Sequence, residues 1–345
     1  MRLSTRVGYG DGFVRTVERV VALEQVGVDM VWVAEAYGFD AATQLGYLAA
    51  RTRRVELGSG IFNIYSRSPA LLAQTAAGLD DLSDGRAILG LGASGPQVVE
   101  GWHGLPYDQP VPRMREIIDI CRMAWRRQEL VYSGRCYSLP LPPERGAGLG
   151  KPIKMLTHPR RERIPIYLAS LGERSVELAA EKAEGWLPIF FWPEQAEKVW
   201  GAALRRGLAR RSADVGPLQI VAGGPLAIGD GLESLRDRER PHLALYAGGM
   251  GARGKNFYND LLRQYGYERE AAEIQELYLN GRKQQAAACV PAALLEALQL
   301  IGPAEYVKER IGVFKAAGVS VLDVQPIGPD PLGDVARVRE WLAAL

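Results

Sequence analysis

Cysteine and histidine are both scarce in this sequence of 345 residues, which contains three of each. The cysteines Cys121, Cys136 and Cys289 lie far apart and show no C-x-x-C spacing. Isolated cysteines of this kind fit a reducing compartment and argue against both a disulfide framework and a zinc site. The histidines are also separated in sequence, which argues against a multi-histidine centre. We therefore expect no metal.

Long apolar runs are missing as well. No stretch approaches the roughly 18 uncharged apolar residues that a membrane span requires. The first residues, MRLSTRVGYGDGF, lack the apolar core of a secretory signal. We expect a cytoplasmic protein that does not act on a membrane.

The sequence has no large excess of one charge, since 42 basic and 40 acidic residues give a formal net charge of +2. A nucleic-acid-binding protein usually concentrates positive charge on one face. The densest basic cluster, Arg205, Arg206, Arg210 and Arg211, is typical of a solvated helix face. We expect no nucleic-acid partner.

Several catalytic signatures are also absent. We find no Walker motif, HExxH motif, Ser-His-Asp order or paired metal carboxylates in the sequence. The glycines in residues 8–13 follow the first predicted strand, but they do not continue into a helix as a Rossmann fingerprint does. A chain with few titratable groups at its predicted site points to a bound cofactor that carries the difficult chemistry.

What the sequence does contain is a regular alternation of short apolar runs and amphipathic helices. Eight strands that alternate with helices imply parallel pairing with right-handed crossovers. The fold class is therefore α/β, and we predict a (β/α)8 TIM barrel in one domain over 1–345, with a helical insertion at about 230–300 late in the barrel. An open doubly wound sheet is the rival. The predicted strands are 3–9, 30–34, from 55, 87–91, 166–169, 186–191, 218–222 and 319–324, and the helices between them include 14–25, 43–50, from 69, 114–125, 175–184, 195–210 and 306–317.

In such a barrel the active site forms at the carboxyl ends of the strands. Residues 90–95 (GLGASG) place glycines directly after a strand, where backbone amides can approach a ligand closely. Residues 58–63 (GSGIFN) interrupt a β run with glycines, which often marks a bulge or a ligand. Residues 170–175 (SLGERS) open a helix whose first amides suit a phosphate. A plain helix cap would use the same residues, so phosphate binding stays open on this pattern alone.

Four polar residues are expected at the mouth of the barrel, namely Glu35, Asp40, Asn63 and Glu100. A lone carboxylate after a strand is more often a hydrogen-bonded part of the scaffold than a catalyst. The aromatic residues of the insertion are open to a similar choice. They can roof the pocket, although aromatic residues at helical spacing more often belong to the core; they are Tyr246, Phe257, Tyr258, Tyr265 and Tyr278.

Taken together, these motifs resemble the luciferase-like monooxygenase superfamily, and more narrowly its coenzyme F420-dependent branch related to methylenetetrahydromethanopterin reductase. The segment RSPALLAQTAAGLDDLSDGR with GASGPQVVEGWHG carries the most specific part of the likeness. PIYLASLGERSVELAAEKAEGWLP is similar to the phosphate-binding strand and helix of that family. The insertion from LALYAGGMGARGKNFYNDLL onward is similar to one in an actinobacterial subgroup.

The resemblance implies a role for each segment. A non-proline cis peptide behind the deazaflavin ring is expected at Gly60-Ile61. Glu35, Asp40 and Asn63 are expected at the cofactor. The resemblance also implies that Ala93, Ser94 and Gly95 line the cofactor and that Leu171, Gly172, Arg174 and Ser175 hold its phosphate. Relatives commonly form homodimers, so we expect a homodimer here.

One departure from the family narrows the expected chemistry. The sugar-phosphate and alcohol dehydrogenases of the family place a His after the acidic residue that follows strand two, and this sequence has Ala36 there. Where the sugar-phosphate enzymes have a carboxylate after the glycine segment, this sequence has Pro96. Oxidation of an alcohol or sugar by that acid–base pair is therefore disfavoured, and Glu35 or Glu100 is the predicted group for any proton transfer.

Three functions remain in view. The first is an F420-dependent oxidoreductase that transfers a hydride between C5 of the deazaflavin and a small organic substrate, with reduction of an activated double bond favoured. The second is an FMN-dependent monooxygenase that uses reduced flavin and dioxygen. The third is a flavin-binding barrel without catalytic activity.

Overall fold

A computed structural model describes residues 1–8 and 12–344 of the chain. Its strands form a closed parallel barrel, because the first strand pairs both with the second and with the last. The ring continues without a break through the other strands and returns to its start. The predicted (β/α)8 barrel is thus confirmed. The eight barrel strands are β1 (Arg2–Val7), β2 (Met30–Val33), β3 (Glu56–Ser59), β5 (Ala87–Gly92), β8 (Ile166–Ala169), β9 (Gly185–Trp186), β10 (Gln219–Ile228) and β12 (Val321–Pro326).

Within the described part of the chain, four short strands lie outside this ring. The strand after β3 pairs with β5, and the one after the insertion pairs with the far end of β10. The remaining two form an antiparallel hairpin. These strands are β4 (Phe62–Asn63), β6 (Tyr132–Ser133), β7 (Ser138–Leu139) and β11 (Leu300–Gly302).

The helices follow the predicted order, and several carry the expected end signals. Ser68 accepts a hydrogen bond from the Leu71 amide at 3.1 Å, and Pro69 occupies the first turn. That helix ends where Asp84 and Gly85 adopt left-handed backbone angles. The helices are α1 (Phe13–Gln25), α2 (Ala41–Arg51), α3 (Pro69–Leu82), α4 (Pro96–Gly101), α5 (Pro110–Trp125), α6 (Glu173–Lys182), α7 (Ala196–Ala209), α8 (Arg240–Ala244), α9 (Phe257–Gln264), α10 (Glu268–Leu279), α11 (Lys283–Ala288), α12 (Ala292–Ala297), α13 (Ala304–Ala316) and α14 (Pro331–Ala344).

Tyr9, the last residue of the first predicted strand, lies outside the described residues. Two other predicted strands differ clearly from the observed ones. Of the apolar run 186–191, only Trp186 lies in the sheet, in the strand Gly185–Trp186, and Phe190 has a positive φ of 54°. The run continues as a loop whose last residue, Phe191, is buried in the core and stacks on Trp200. Strand β10 instead runs past its predicted end, through Gly223, where a Cβ would lie 2.1 Å from the Asp323 carbonyl oxygen of β12.

The inside of the barrel is filled by a small apolar cluster that contains Met30, Trp32, Ile88, Tyr167, Val221 and Val321. The rings of Trp32 and Tyr167 lie 5.2 Å apart. Gly58 makes room for this pair, because a Cβ there would lie 2.3 Å from the Trp32 ring. The glycine of β3 that the sequence marked as a bulge or ligand contact therefore serves the packing of the interior.

The late helical segment lies between β10 and β11 and contains α8 to α12. A π-helical turn, Leu245–Gly249, continues directly from α8. The segment packs mainly on itself and presents one side to the barrel mouth. No helix within 1–8 and 12–344 is long and apolar enough to cross a membrane.

Replacing Gly58 with alanine tests the tight packing inside the barrel. We expect Gly58→Ala to lower the free energy of unfolding by about 1–3 kcal/mol, because the new methyl group displaces the Trp32 ring. Gly46→Ala in α2 is the matched control, since a Cβ there meets nothing within 4 Å and alanine favours a helix. Chemical denaturation measures both, and equal stability of the two variants would contradict this account.

Candidate active site

The carboxyl ends of the barrel strands surround a cavity of about 810 Å³. This is the position that the fold predicts for an active site. Strand-end segments form most of its wall, and the helical insertion closes one side. The wall includes Arg6, Trp32, residues 34–37, 60–61, 92–95, 168–175 and 187–189, and from the insertion Tyr246, 249–250 and 257–258.

Most of the site residues expected from the sequence meet in this wall. The peptide bond between Gly60 and Ile61 is cis, as the resemblance implied. The Ile61 side chain lies over Gly92, where a Cβ would come within 2.8 Å of it. The predicted residues that line the cavity are Glu35, Gly60, Ile61, Ala93, Ser94, Gly95, Leu171, Gly172, Arg174 and Ser175.

The loop 170–175 has the features of an anion site. Gly172 caps α6 without a side chain, and the Ser175 hydroxyl donates to its carbonyl oxygen at 2.7 Å. The first amides of a helix have no acceptor within the helix and carry the positive end of its dipole. A Cβ at Gly172 would meet only the Ser175 hydroxyl, at 3.7 Å, so the cap is open.

Two further groups of this loop are available to bind a ligand. The Ser170 hydroxyl is buried in the cavity wall and has no hydrogen-bond partner among the described residues. Arg174 lines the cavity and forms no ion pair within 1–8 and 12–344. A buried hydroxyl without a partner is costly, so a ligand that accepts from it fits the site. The loop therefore suits the phosphate of a cofactor.

Glu35 reaches the cavity wall, but its carboxylate is already held. Arg67 donates to its two oxygens at 2.6 and 2.8 Å, and the Ala41 amide donates at 2.9 Å. The side chains of Glu35 and Arg67 are only 10% and 12% exposed. Such a two-pronged contact fixes a carboxylate in place. Glu35 therefore ties the loop after β2 to the loop after β4.

Asp40 lies outside the cavity wall and acts on α2. It caps that helix by accepting from the Thr43 amide at 2.8 Å, and it also contacts Arg67. Burial raises the pKa of Asp40, but the Thr43 hydrogen bonds and the Arg67 charge outweigh this and lower it. Arg67, which sequence reasoning did not single out, thus pairs with both carboxylates. Nothing in the sequence links it to Glu35, 32 residues away.

Asn63 and Glu100 also lie outside the cavity wall. Asn63 is 6% exposed and accepts from the Tyr65 amide at 2.9 Å, while its amide nitrogen has no partner among the described residues. Glu100 is exposed on α4 and, among the described residues, accepts only from the Tyr107 amide, at 3.3 Å. The geometry gives no support to Glu100 as a proton donor to a substrate in the cavity.

The aromatic residues of the insertion divide between cavity and core. Tyr246, Phe257 and Tyr258 line the cavity, which corrects the preference for a core position. Tyr246 and Tyr258 meet edge to face with ring centres 4.7 Å apart. Tyr265 is a core residue, since it is buried and donates to the Phe190 carbonyl at 2.7 Å. Tyr278 packs on the glycines of the π-helical turn.

Known proteins are similar to this chain in both sequence and fold. The chain is 40% identical over 343 residues to a Mycobacterium tuberculosis protein named "Putative coenzyme F420-dependent oxidoreductase Rv3520c", covering 98% of this chain and 99% of that one. It is 28% identical to 5,10-methylenetetrahydromethanopterin reductase of Archaeoglobus fulgidus, over 89% and 88% of the two chains.

Among solved structures, the coenzyme F420-dependent tetrahydromethanopterin reductase of Methanopyrus kandleri matches with a TM-score of 0.81 at 22% identity. The match covers 98% of this chain and 96% of that one. At this identity it supports the barrel fold. The profile of the luciferase-like monooxygenase family matches residues 1–320. The resemblance predicted from the motifs is thus confirmed, and this chain belongs to the luciferase-like monooxygenase family.

Proposed function

We propose that this protein is an oxidoreductase that binds coenzyme F420 and transfers a hydride between C5 of its deazaflavin ring and a small organic substrate. The observation that carries the proposal is the loop 170–175, an open anion site in the wall of an 810 Å³ cavity. The relative that is 40% identical along nearly the whole chain and is named for F420 supports this choice of cofactor.

The residues present fit such a cofactor. The amides at the start of α6, the Ser170 hydroxyl and Arg174 would hold its phosphate. Gly60, Ile61 and residues 93–95 would contact its ring system, since they form the wall beside that loop. When bound, the reduced coenzyme supplies a hydride. The protein orients the substrate and keeps water out of an aromatic and apolar cavity.

Reduction of an activated C=C or C=N bond is the reaction that the wall favours. Ala36 lines the cavity with a methyl group where an imidazole would be needed to take the proton of an alcohol. Pro96 begins α4 and offers no acid or base. Hydride addition to such a bond leaves an anion that must still gain a proton. Because neither position can supply it, we assign that proton to solvent water after the hydride transfer.

Titration of the purified protein with F420 and with FMN, followed by fluorescence, tests the choice of cofactor. We expect F420 to bind with a Kd of roughly micromolar order and FMN to bind more weakly. Binding of FMN alone would overturn the proposal in favour of a flavin monooxygenase. Binding of neither would favour a barrel without this catalytic activity.

A substitution at Gly172 tests the phosphate site. We expect Gly172→Asp to weaken F420 binding about tenfold or more, because it adds a negative charge at the open cap. Gly172→Asn is the matched control, since both residues cap helices well and differ in charge. Both variants should keep the melting temperature of the parent. Equal F420 affinity in the two variants would remove the loop from the site.

A third variant separates structural and proton-transfer roles of Glu35. We expect Glu35→Gln to lower the free energy of unfolding by about 1–3 kcal/mol, because Arg67 loses a charged partner at a poorly exposed position. The dependence of kcat on pH should stay unchanged. A stable variant with a large loss of kcat and an altered pH profile would instead identify Glu35 as the proton donor.

A further inference from the structure

Arg6 is a cation at the cavity to which the proposed cofactor site assigns no role. It lies near the end of β1, in register with Trp32 of β2, whose ring belongs to the barrel interior. Arg6 also lines the cavity. In the closed ring, β1 is four strands away from β8, which leads into loop 170–175. Arg6 therefore faces the cavity from the side opposite the proposed phosphate site.

A buried carboxylate fixes the position of Arg6. Its Nε lies 2.5 Å from Oδ2 of Asp323, a residue of β12 whose side chain is 1% exposed. The Ser4 hydroxyl donates to the other oxygen of Asp323 at 2.7 Å. Asp323 is thus anchored on both sides within the barrel, and it holds the guanidinium group at the cavity.

The outer part of the Arg6 guanidinium group remains available. Neither of its Nη atoms hydrogen-bonds an acceptor in the described parts of the chain, and the side chain is 32% exposed. A guanidinium group offers paired donors in a plane that matches the two oxygens of a carboxylate. A guanidinium group that faces the cavity in this way is suited to bind an anionic group of a ligand.

The other charges at the cavity are already paired or lie elsewhere. Glu35 is paired with Arg67, and Glu173 hydrogen-bonds Arg206 at 2.5 Å. Arg174 belongs to loop 170–175 on the opposite side. Arg6 is paired with Asp323 through Nε, so its Nη atoms are the charged donors of the described wall that are left for the substrate.

The surroundings of Arg6 indicate what the rest of the ligand is like. Burial raises the pKa of Tyr246, and the charge of Arg6 opposes that increase, so the two groups are close enough to interact. Tyr258 and Phe257 continue the same wall. One cation beside an aromatic surface fits a molecule with an apolar body and a single acidic group.

We propose that Arg6 binds the carboxylate of the substrate, and that the substrate class is small unsaturated carboxylic acids with an apolar or aromatic body. This inference rests on the proposed function for the reacting double bond. The carboxylate contact itself requires only the cavity, so the two can be tested separately.

Binding of cinnamate and of its neutral analogue cinnamide, measured by calorimetry, tests the proposal directly. We expect the protein to bind cinnamate about 10- to 100-fold more tightly, as a charge-assisted hydrogen-bond pair provides. Equal binding of the two probes, or no binding of either, would overturn the proposal.

Variants then assign the preference to Arg6. The double variant Arg6→Gln with Asp323→Asn removes both charges, so no unpaired carboxylate is left in the barrel. We expect it to keep the parent's F420 affinity and to lose the preference for cinnamate. Arg6→Lys should recover part of that preference, since it keeps the charge without the planar fork. A double variant that retains the full preference would overturn the assignment.

Arg174→Gln is the matched control on the opposite side of the barrel. We expect it to weaken F420 binding and to leave the cinnamate preference intact, which is the reverse of the Arg6 result. If F420 fails to bind any form of the protein while the cinnamate preference depends on Arg6, the proposed function fails and the carboxylate site stands. If F420 binds and the cinnamate preference is absent, the carboxylate proposal alone fails.

Discussion

Pairing between β1 and β12 is the constraint on which the rest of the molecule depends, because it closes the sheet into a ring. Once the ring is closed, every parallel strand delivers its carboxyl end to the same rim. Residues that are far apart in sequence then share one cavity. The same pairing brings Ser4 of β1 beside Asp323 of β12, so the closure also places the carboxylate that holds Arg6.

The fold was predictable from sequence because strand and helix signals alternate throughout and most local signals agree with each other. Ile166–Ala169 matches its predicted bounds because the run is apolar, short and flanked by turn residues. The failures occur where local rules compete with packing. Residues 187–191 are apolar but leave the sheet, where 187–189 line the cavity and Phe191 is buried in the core. Gly223 lies in a strand because β12 comes too close for any side chain. Neither effect can be predicted from the local sequence, because each depends on the element that packs beside it.

The candidate site was predictable to the extent that it depends on backbone. The glycine segments and the cap of α6 fall on the cavity because strand ends must converge in a barrel. The roles of individual side chains were harder to predict from the sequence. Glu100 follows a strand yet points to solvent, and the partner of Glu35 comes from another loop. The sequence did not single out Arg6, because it is one of several polar residues in β1 (RLSTRV) and the local pattern does not reveal which of them reach the mouth of the barrel.

The wall of the cavity combines strand ends, which belong to the closed sheet, with residues of the helical insertion, which lies outside it. One part consists of the ends of β3, β5 and β8, whose positions are set by the closed sheet. The other part, with Tyr246 and Tyr258, comes from the helical segment between β10 and β11, which packs largely on itself. Sequence changes in that segment can reshape one side of the cavity while the strand ends stay where they are. The substrate that such a molecule accepts can therefore change while the proposed cofactor site is kept.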